Sequence, residues 1–277
     1  MDINKVKSVM DDRTALINSR PDAFLQQAEK IQRELYETLV DYFARIKTTN
    51  GKIDNVPANI QMAARARDDI RKWLRQYGYF DAVKEYSIGL DELAGLGREF
   101  YAAMDLKSTF TARDFEVLST FKSDHINFIR GADITVQNMV YDSLVSSIYS
   151  GGTFRELRTN LANVVLDNTA GNGALKKYLG TRAFDAFAGF DREIQNIKSA
   201  ELELDLFLYS GNAIKDTRVF CMDRVGKIFT TAEINSWQKL KWVGKNPTVS
   251  VWIALGGYNC RHILSPVTKE FAESFRK

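Results

Sequence analysis

ELELDLFLY, residues 201–209, is where the hydrophobic period of this chain changes. Upstream, apolar residues recur every three to four positions. Here Leu202, Leu204, Leu206 and Leu208 alternate with Glu201, Glu203, Asp205 and Phe207. A period of two belongs to a half-buried strand, although leucine and glutamate are weak strand formers. The switch separates a helical body, residues 1–200, from a smaller α+β domain, residues 201–277. The expected fold class is therefore mostly α, an elongated helical body with a small C-terminal α+β domain.

Working back from that stretch, Ala28, Ile31, Leu35, Leu39, Tyr42, Phe43 and Ile46 form one apolar helical stripe. Asn50-Gly51 ends it, and residues 54–57 read as a loop before a second helical stretch with Ile60, Ile70, Trp73 and Leu74. Turns are expected around Gly78 and Gly89, which subdivides the body near 50–57 and 78–110. Thr111 to Tyr149 reads as helix, interrupted at most by Gly131, with Val136, Val140, Leu144 and Ile148 four apart. Gly151-Gly152 stops it. Thr153 and Glu156 then have capping-box spacing, so each satisfies a free amide of the next helix. Two packed antiparallel helices are expected here rather than a DNA-binding helix–turn–helix. A glycine-rich break, AGNGALKKYLG at 170–180, precedes a helix from about Thr181 to Ser199.

Forward from residue 209 the elements are short. KIFT at 227–230 reads as a strand, and Thr230 with Glu233 caps a short helix through Trp237. VSVWIAL at 249–255 is β-branched enough to read as a second strand. Gly256-Gly257 then demands a tight turn, and Asn259 tolerates left-handed backbone. GGYNCRHIL, residues 256–264, is thus expected to reverse the chain. Asn259 and Arg261 would bond the turn, Cys260 would be buried and Pro266 would close the segment. Trp237, Trp242 and Trp252 are expected in the core.

Composition bounds the function classes. Apolar residues make up 45% and charged residues 26%, as in soluble globular proteins. No run of about 18 apolar residues appears, so no membrane partner is expected. The N-terminal segment lacks the apolar region of a secretory signal. Two cysteines 39 positions apart form no disulfide framework, and a reducing compartment is expected. Net charge is +3, but Asn212 onward holds eleven Lys/Arg against five Asp/Glu. That excess reads as a mildly basic solvated surface, with an anionic partner as the alternative.

Cys221, Cys260 and His262 are the one group with metal-ligand character, with Asp223 or water as a fourth zinc ligand. The competing reading is a pair of buried, reduced cysteines that pack as small hydrophobes, and no cofactor is then required. A nucleophilic reading needs a carboxylate to orient His262, drawn from Glu233 or Asp223. A one-histidine nuclease would use Arg218, Arg261, Tyr258 and Glu233. No catalytic motif is intact, so no catalytic residues are assigned and no enzyme is expected. His125, mid-helix, is read as having no role.

Taken together, LYSGNAIKDTRVFCMDRVGKIFTTAEINSW and GGYNCRHILSPV resemble the C-terminal signature of the Mu F-like family of phage head morphogenesis, or minor capsid, proteins. The resemblance covers about residues 206–268 and rests on Tyr209, Gly211, Asp216, Thr217, Arg218, Cys221, Gly226, Glu233, Gly256, Gly257, Asn259, Cys260, Arg261, His262 and Pro266. Relatives carry a second cysteine where His262 stands, and a histidine near the position of Arg224. The resemblance implies a non-enzymatic virion protein, made in the host cytoplasm. Its implied partners are the phage portal protein or the major capsid protein at the inner capsid surface, together with packaged DNA. The alternative class is a nucleic-acid-acting domain: a nuclease, a toxin-like module or an ejected DNA-binding protein.

Overall fold

The computed structural model describes residues 1–106, 110–166 and 174–275. Part of the expected glycine-rich break at 170–180 lies outside them. The chain opens with one long helix, α1 (Ile3–Phe43), which carries Pro21 in its interior. A small hairpin of β1 (Thr48–Thr49) and β2 (Lys52–Ile53) follows. Asn50 and Gly51 take positive φ at its turn, the geometry that Asn-Gly supplies in a two-residue hairpin. Next come α2 (Pro57–Gln76), α3 (Tyr79–Ala103), α4 (Ala112–Arg130), α5 (Ala132–Tyr149), α6 (Phe154–Val165) and α7 (Ala174–Glu201). The last part alternates β3 (Leu206–Ser210), α8 (Val219–Met222), β4 (Lys227–Thr230), α9 (Thr231–Trp237), α10 (Val251–Ala254), β5 (Ile263–Val267) and α11 (Lys269–Phe275). The fold is mostly α with a small α+β part. No described helix is long and apolar enough to cross a membrane.

The residues group into two compact units. One comprises 23–85 and 126–180, the other 1–22, 86–125 and 181–277. In the first, α2 buries Ala63, Ala66, Ile70 and Leu74 along one face, beside the Val136, Val140, Leu144 and Ile148 stripe of α5. Buried Asn59 ties the loops together, accepting from Lys47 N and donating to the Lys47 and Asp54 carbonyls. The Thr153–Glu156 capping box is formed at the start of α6.

The second unit holds the three-stranded antiparallel sheet, ordered β4-β3-β5. Both faces of its central strand are covered. Leu206 and Leu208 pack with Val6, Val9, Phe100, Val267 and Phe271. Phe207 and Tyr209 pack with Phe220, Ile234, Trp237, Leu255 and Leu264. Leu202 and Leu204 join the first face, as the period of two implies, but lie outside the strand because α7 runs on to Glu201 and Glu203 takes a left-handed φ of 53°.

Three sequence expectations are corrected. VSVWIAL is not a strand: both edges of β3 are taken by β4 and β5. Instead Ser250 caps a helical turn by accepting from Trp252 N, while Val251 N donates to Gln238 and the Trp252 indole to Asn235. The third strand is Ile263–Val267, so Pro266 sits within a strand opposite Phe207 rather than closing the segment. This is an edge strand, where a missing amide is tolerated. Gly89 is helical, not a turn. A Cβ there would lie 2.9 Å from the Phe187 ring, so the glycine admits close approach of α3 to α7.

Two buried ion pairs tie α7 into this unit. Arg13 clamps Asp191 in bidentate fashion at 2.9 and 2.8 Å, both side chains fully buried, and also donates to Ser265 Oγ. Lys198 Nζ lies 2.6 Å from both Asp114 and Glu201. Burial would raise the Asp114 carboxyl, but hydrogen bonds from Lys198 and Thr111 outweigh it and hold the group below its ordinary range.

Removing one member of a buried pair leaves the other charge uncompensated. Asp191→Ala is therefore expected to lower unfolding stability by about 3–5 kcal/mol in urea titrations, and Arg13→Met with Asp191→Leu to recover most of that loss. Asp114 titrates lower folded than unfolded, so its stabilisation is present above the ordinary carboxylate range and is lost as pH falls from there through the lower folded value. Asp114→Asn should be less stable than the parent at pH 7, and the gap should narrow progressively as pH falls below about 4 when denaturation is repeated across pH.

Candidate functional site

The site begins with a charged pair in the middle of an apolar helix. Within FDAFAGFDREI, residues 184–194, Asp191 and Arg192 are buried. Asp191 is taken by Arg13, and Arg192 turns to the segment 253–262. Its guanidinium donates to the carbonyls of Ile253 at 2.6 Å, of His262 at 2.7 Å and of Cys260. Asn259, at φ 56°, donates its amide to Asp185 Oδ1 at 2.7 Å. One face of α7 thus holds a bent, non-regular segment by its backbone groups, which cannot be left unpaired when buried.

The bend presents Cys260 and His262 on the same side, with Cys260 Sγ 3.7 Å from His262 Nδ1. Cys221 arrives from α8, anchored by Phe220, which stacks on Trp242 with ring centroids 3.9 Å apart. The Cys221 and Cys260 sulfurs and an imidazole nitrogen of His262 lie within 4.8 Å of one another, and all three residues are buried. Gly256 N donates to Cys260 Sγ at 3.2 Å. A Cβ at Gly256 would lie 2.4 Å from Cys221 Sγ and 2.9 Å from Cys260 Sγ. Any side chain there would drive the thiols apart.

Electrostatics divides the two thiols. The Cys221 hydrogen bond, the Arg192 charge and His262 hold Cys260 well below the ordinary thiol range, against its burial. The same bond, with burial, pushes Cys221 up. Within the pair, negative charge is thus favoured on Cys260 over Cys221. Buried Tyr209, beside both sulfurs, is raised by burial first and then by these neighbours. The three residues reach a cavity of about 290 Å³ whose rim includes Asn18, Asn212, Asp216, Arg218 and Arg261. Chemically, the arrangement offers two sulfur donors and one nitrogen donor beside a polar opening.

The structure brings together Cys221, Cys260 and His262 but not the other residues considered with them. Asp223 is exposed and outside the cluster. Glu233 accepts from Thr230 N and Oγ1 in the α9 capping box, so neither carboxylate orients His262. Arg261 does not serve the turn as expected. Its guanidinium lies 3.7 Å from the Phe184 ring centroid and faces Asn18 and Asp22. Arg218 donates to the Tyr258 carbonyl at 2.6 Å and covers Gly244. Gly257, at φ 98°, lies against the Gly244 carbonyl, where a Cβ would sit 1.9 Å away. Gly211 abuts the His262 ring. Tyr209 accepts from Gly226 N through its carbonyl. Arg192 and Asp185, which sequence reasoning missed, shape the segment; the available signal was charge inside an apolar helical run.

The chain matches no protein-family model, no curated protein and no solved structure.

Gly256→Ala is expected to lower stability by about 1–3 kcal/mol through the sulfur clash. Gly180→Ala, in α7 with open space around it, should raise stability by about 0.5–1 kcal/mol. Urea midpoints of the two variants check both.

Proposed function

We propose that this chain is a minor head protein of a phage, acting in capsid assembly at the portal or inner capsid surface and carried in the virion. The observation that supports the reading is how the residues of the Mu F-like signature are used. Tyr209, Gly211, Gly226, Glu233, Gly256, Gly257 and Asn259 serve turns, caps and close approaches. These are positions where backbone geometry restricts the residue type, and they are among those on which the resemblance over 206–268 rests. A module whose signature serves shape rather than reaction suits an assembly role. The same part exposes Ile214, Val219 and Met222 within nine residues, at 62%, 75% and 52%. Exposed apolar side chains so close in sequence suit a protein partner.

A nucleic-acid-acting role is the second reading, favoured by the basic balance after Asn212 and by Arg218 and Arg261 at the cavity rim. Assembly predicts the protein in purified virions at few copies and a complex with portal protein. Ile214→Asp with Val219→Asp should abolish that complex while changing stability by less than about 0.5 kcal/mol per site. Absence from virions sinks the reading. DNA affinity that falls steeply with salt, with no portal complex, transfers support to the second.

A further inference from the structure

We propose that Cys221, Cys260 and His262 bind one zinc ion through two thiolates and an imidazole, with the fourth coordination position open to the cavity rimmed by Asn212, Asp216 and Arg218. The inference stands on local geometry and is independent of the assembly role. Zinc sits about 2.3 Å from sulfur and about 2.0 Å from nitrogen, so a tetrahedral site holds its donors about 3.5–3.8 Å apart. Cys260 Sγ and His262 Nδ1 are already at 3.7 Å, and all three donor atoms fall within 4.8 Å. Closing on an ion therefore requires movements of an ångström or less.

Charge and hydrogen bonding point the same way. Two thiolates neutralise a divalent ion, which suits buried donors far better than a net charge would. Gly256 N–H already donates to Cys260 Sγ, the outer support expected of a ligating sulfur. Both sulfurs ligate as thiolates, and a thiol proton displaced by the metal leaves to solvent through the cavity. His262 Nε2 is buried with no hydrogen-bond partner among the described residues. Nδ1, which faces Cys260 Sγ at 3.7 Å, is the ring nitrogen placed to ligate, and Nε2 then keeps the ring proton. Gly256 completes the cradle, since any side chain there would occupy the space the sulfurs share.

Three protein donors leave one tetrahedral vertex, and the cavity reaches all three ligands. The site is thus of the open kind, its last position filled by solvent or by an exchangeable group. The other use of two adjacent thiols, a Cys221–Cys260 disulfide, would leave His262 without a role.

The test uses the full chain, purified without chelator, with metal measured by plasma mass spectrometry. The stripped, reduced protein is then titrated with cobalt(II). The expected result is one zinc per chain, and one cobalt showing a sulfur-to-metal charge-transfer band with intense tetrahedral visible bands, displaced by one equivalent of zinc. Cys221→Ser, Cys260→Ser and His262→Ala should each lose the stoichiometric metal. His262→Cys should regain it, because a third thiolate can ligate where a merely packed imidazole could not be replaced. Since ligand variants can also unfold, the parent chain carries the decision. Two free thiols with no cobalt spectrum overturn the proposal, as does a native Cys221–Cys260 disulfide. Full metal binding by His262→Ala overturns the three-ligand set.

Discussion

A single guanidinium governs the shape of the C-terminal part. Arg192 donates to the carbonyls of Ile253, Cys260 and His262, three acceptors on a segment with little regular structure of its own. Buried carbonyls need partners, and an arginine fork can satisfy several at fixed angles. The α10 turn, the Gly256-Gly257 reversal and the entry into β5 therefore take their positions from α7. The juxtaposition of two sulfurs and an imidazole follows from this backbone arrangement.

The sheet obeys a different constraint. Three short strands need at least one covered apolar face to form a stable layer, and here each face of β3 has its own cluster of side chains. The buried Arg13–Asp191–Ser265 set crosses from α1 to α7 to β5. Its hydrogen bonds link three elements that lie far apart in sequence.

Legibility in the sequence followed the range of the interactions. Both capping boxes, the KIFT strand and the stripes of α1 and α5 could be read because their determinants lie within a few residues. The positive φ at Asn259 was readable for the same reason. VSVWIAL misled because β-branching marks a segment able to form a strand, whereas an available edge decides whether it does. Cys221, Cys260 and His262 were recognisable as donor types, yet nothing near either cysteine encodes their meeting. That depends on Arg192, 68 residues before Cys260. Arg261 was assigned to its own turn, but Phe184 and Asp22 lie far away in sequence.

The two-faced strand also constrains the order in which the protein can be made. Val6 and Val9 share a cluster with Phe100 but also with Val267 and Phe271, so the earliest helix residues cannot complete their native surroundings until residue 271 has been made. Non-local pairing of this kind slows folding and leaves apolar helix surface waiting in the meantime. A product cut short before β5 would lack Ser265 beneath Arg13 and Val267 beside Leu208. Completion of this core thereby waits on the synthesis of β5 and α11.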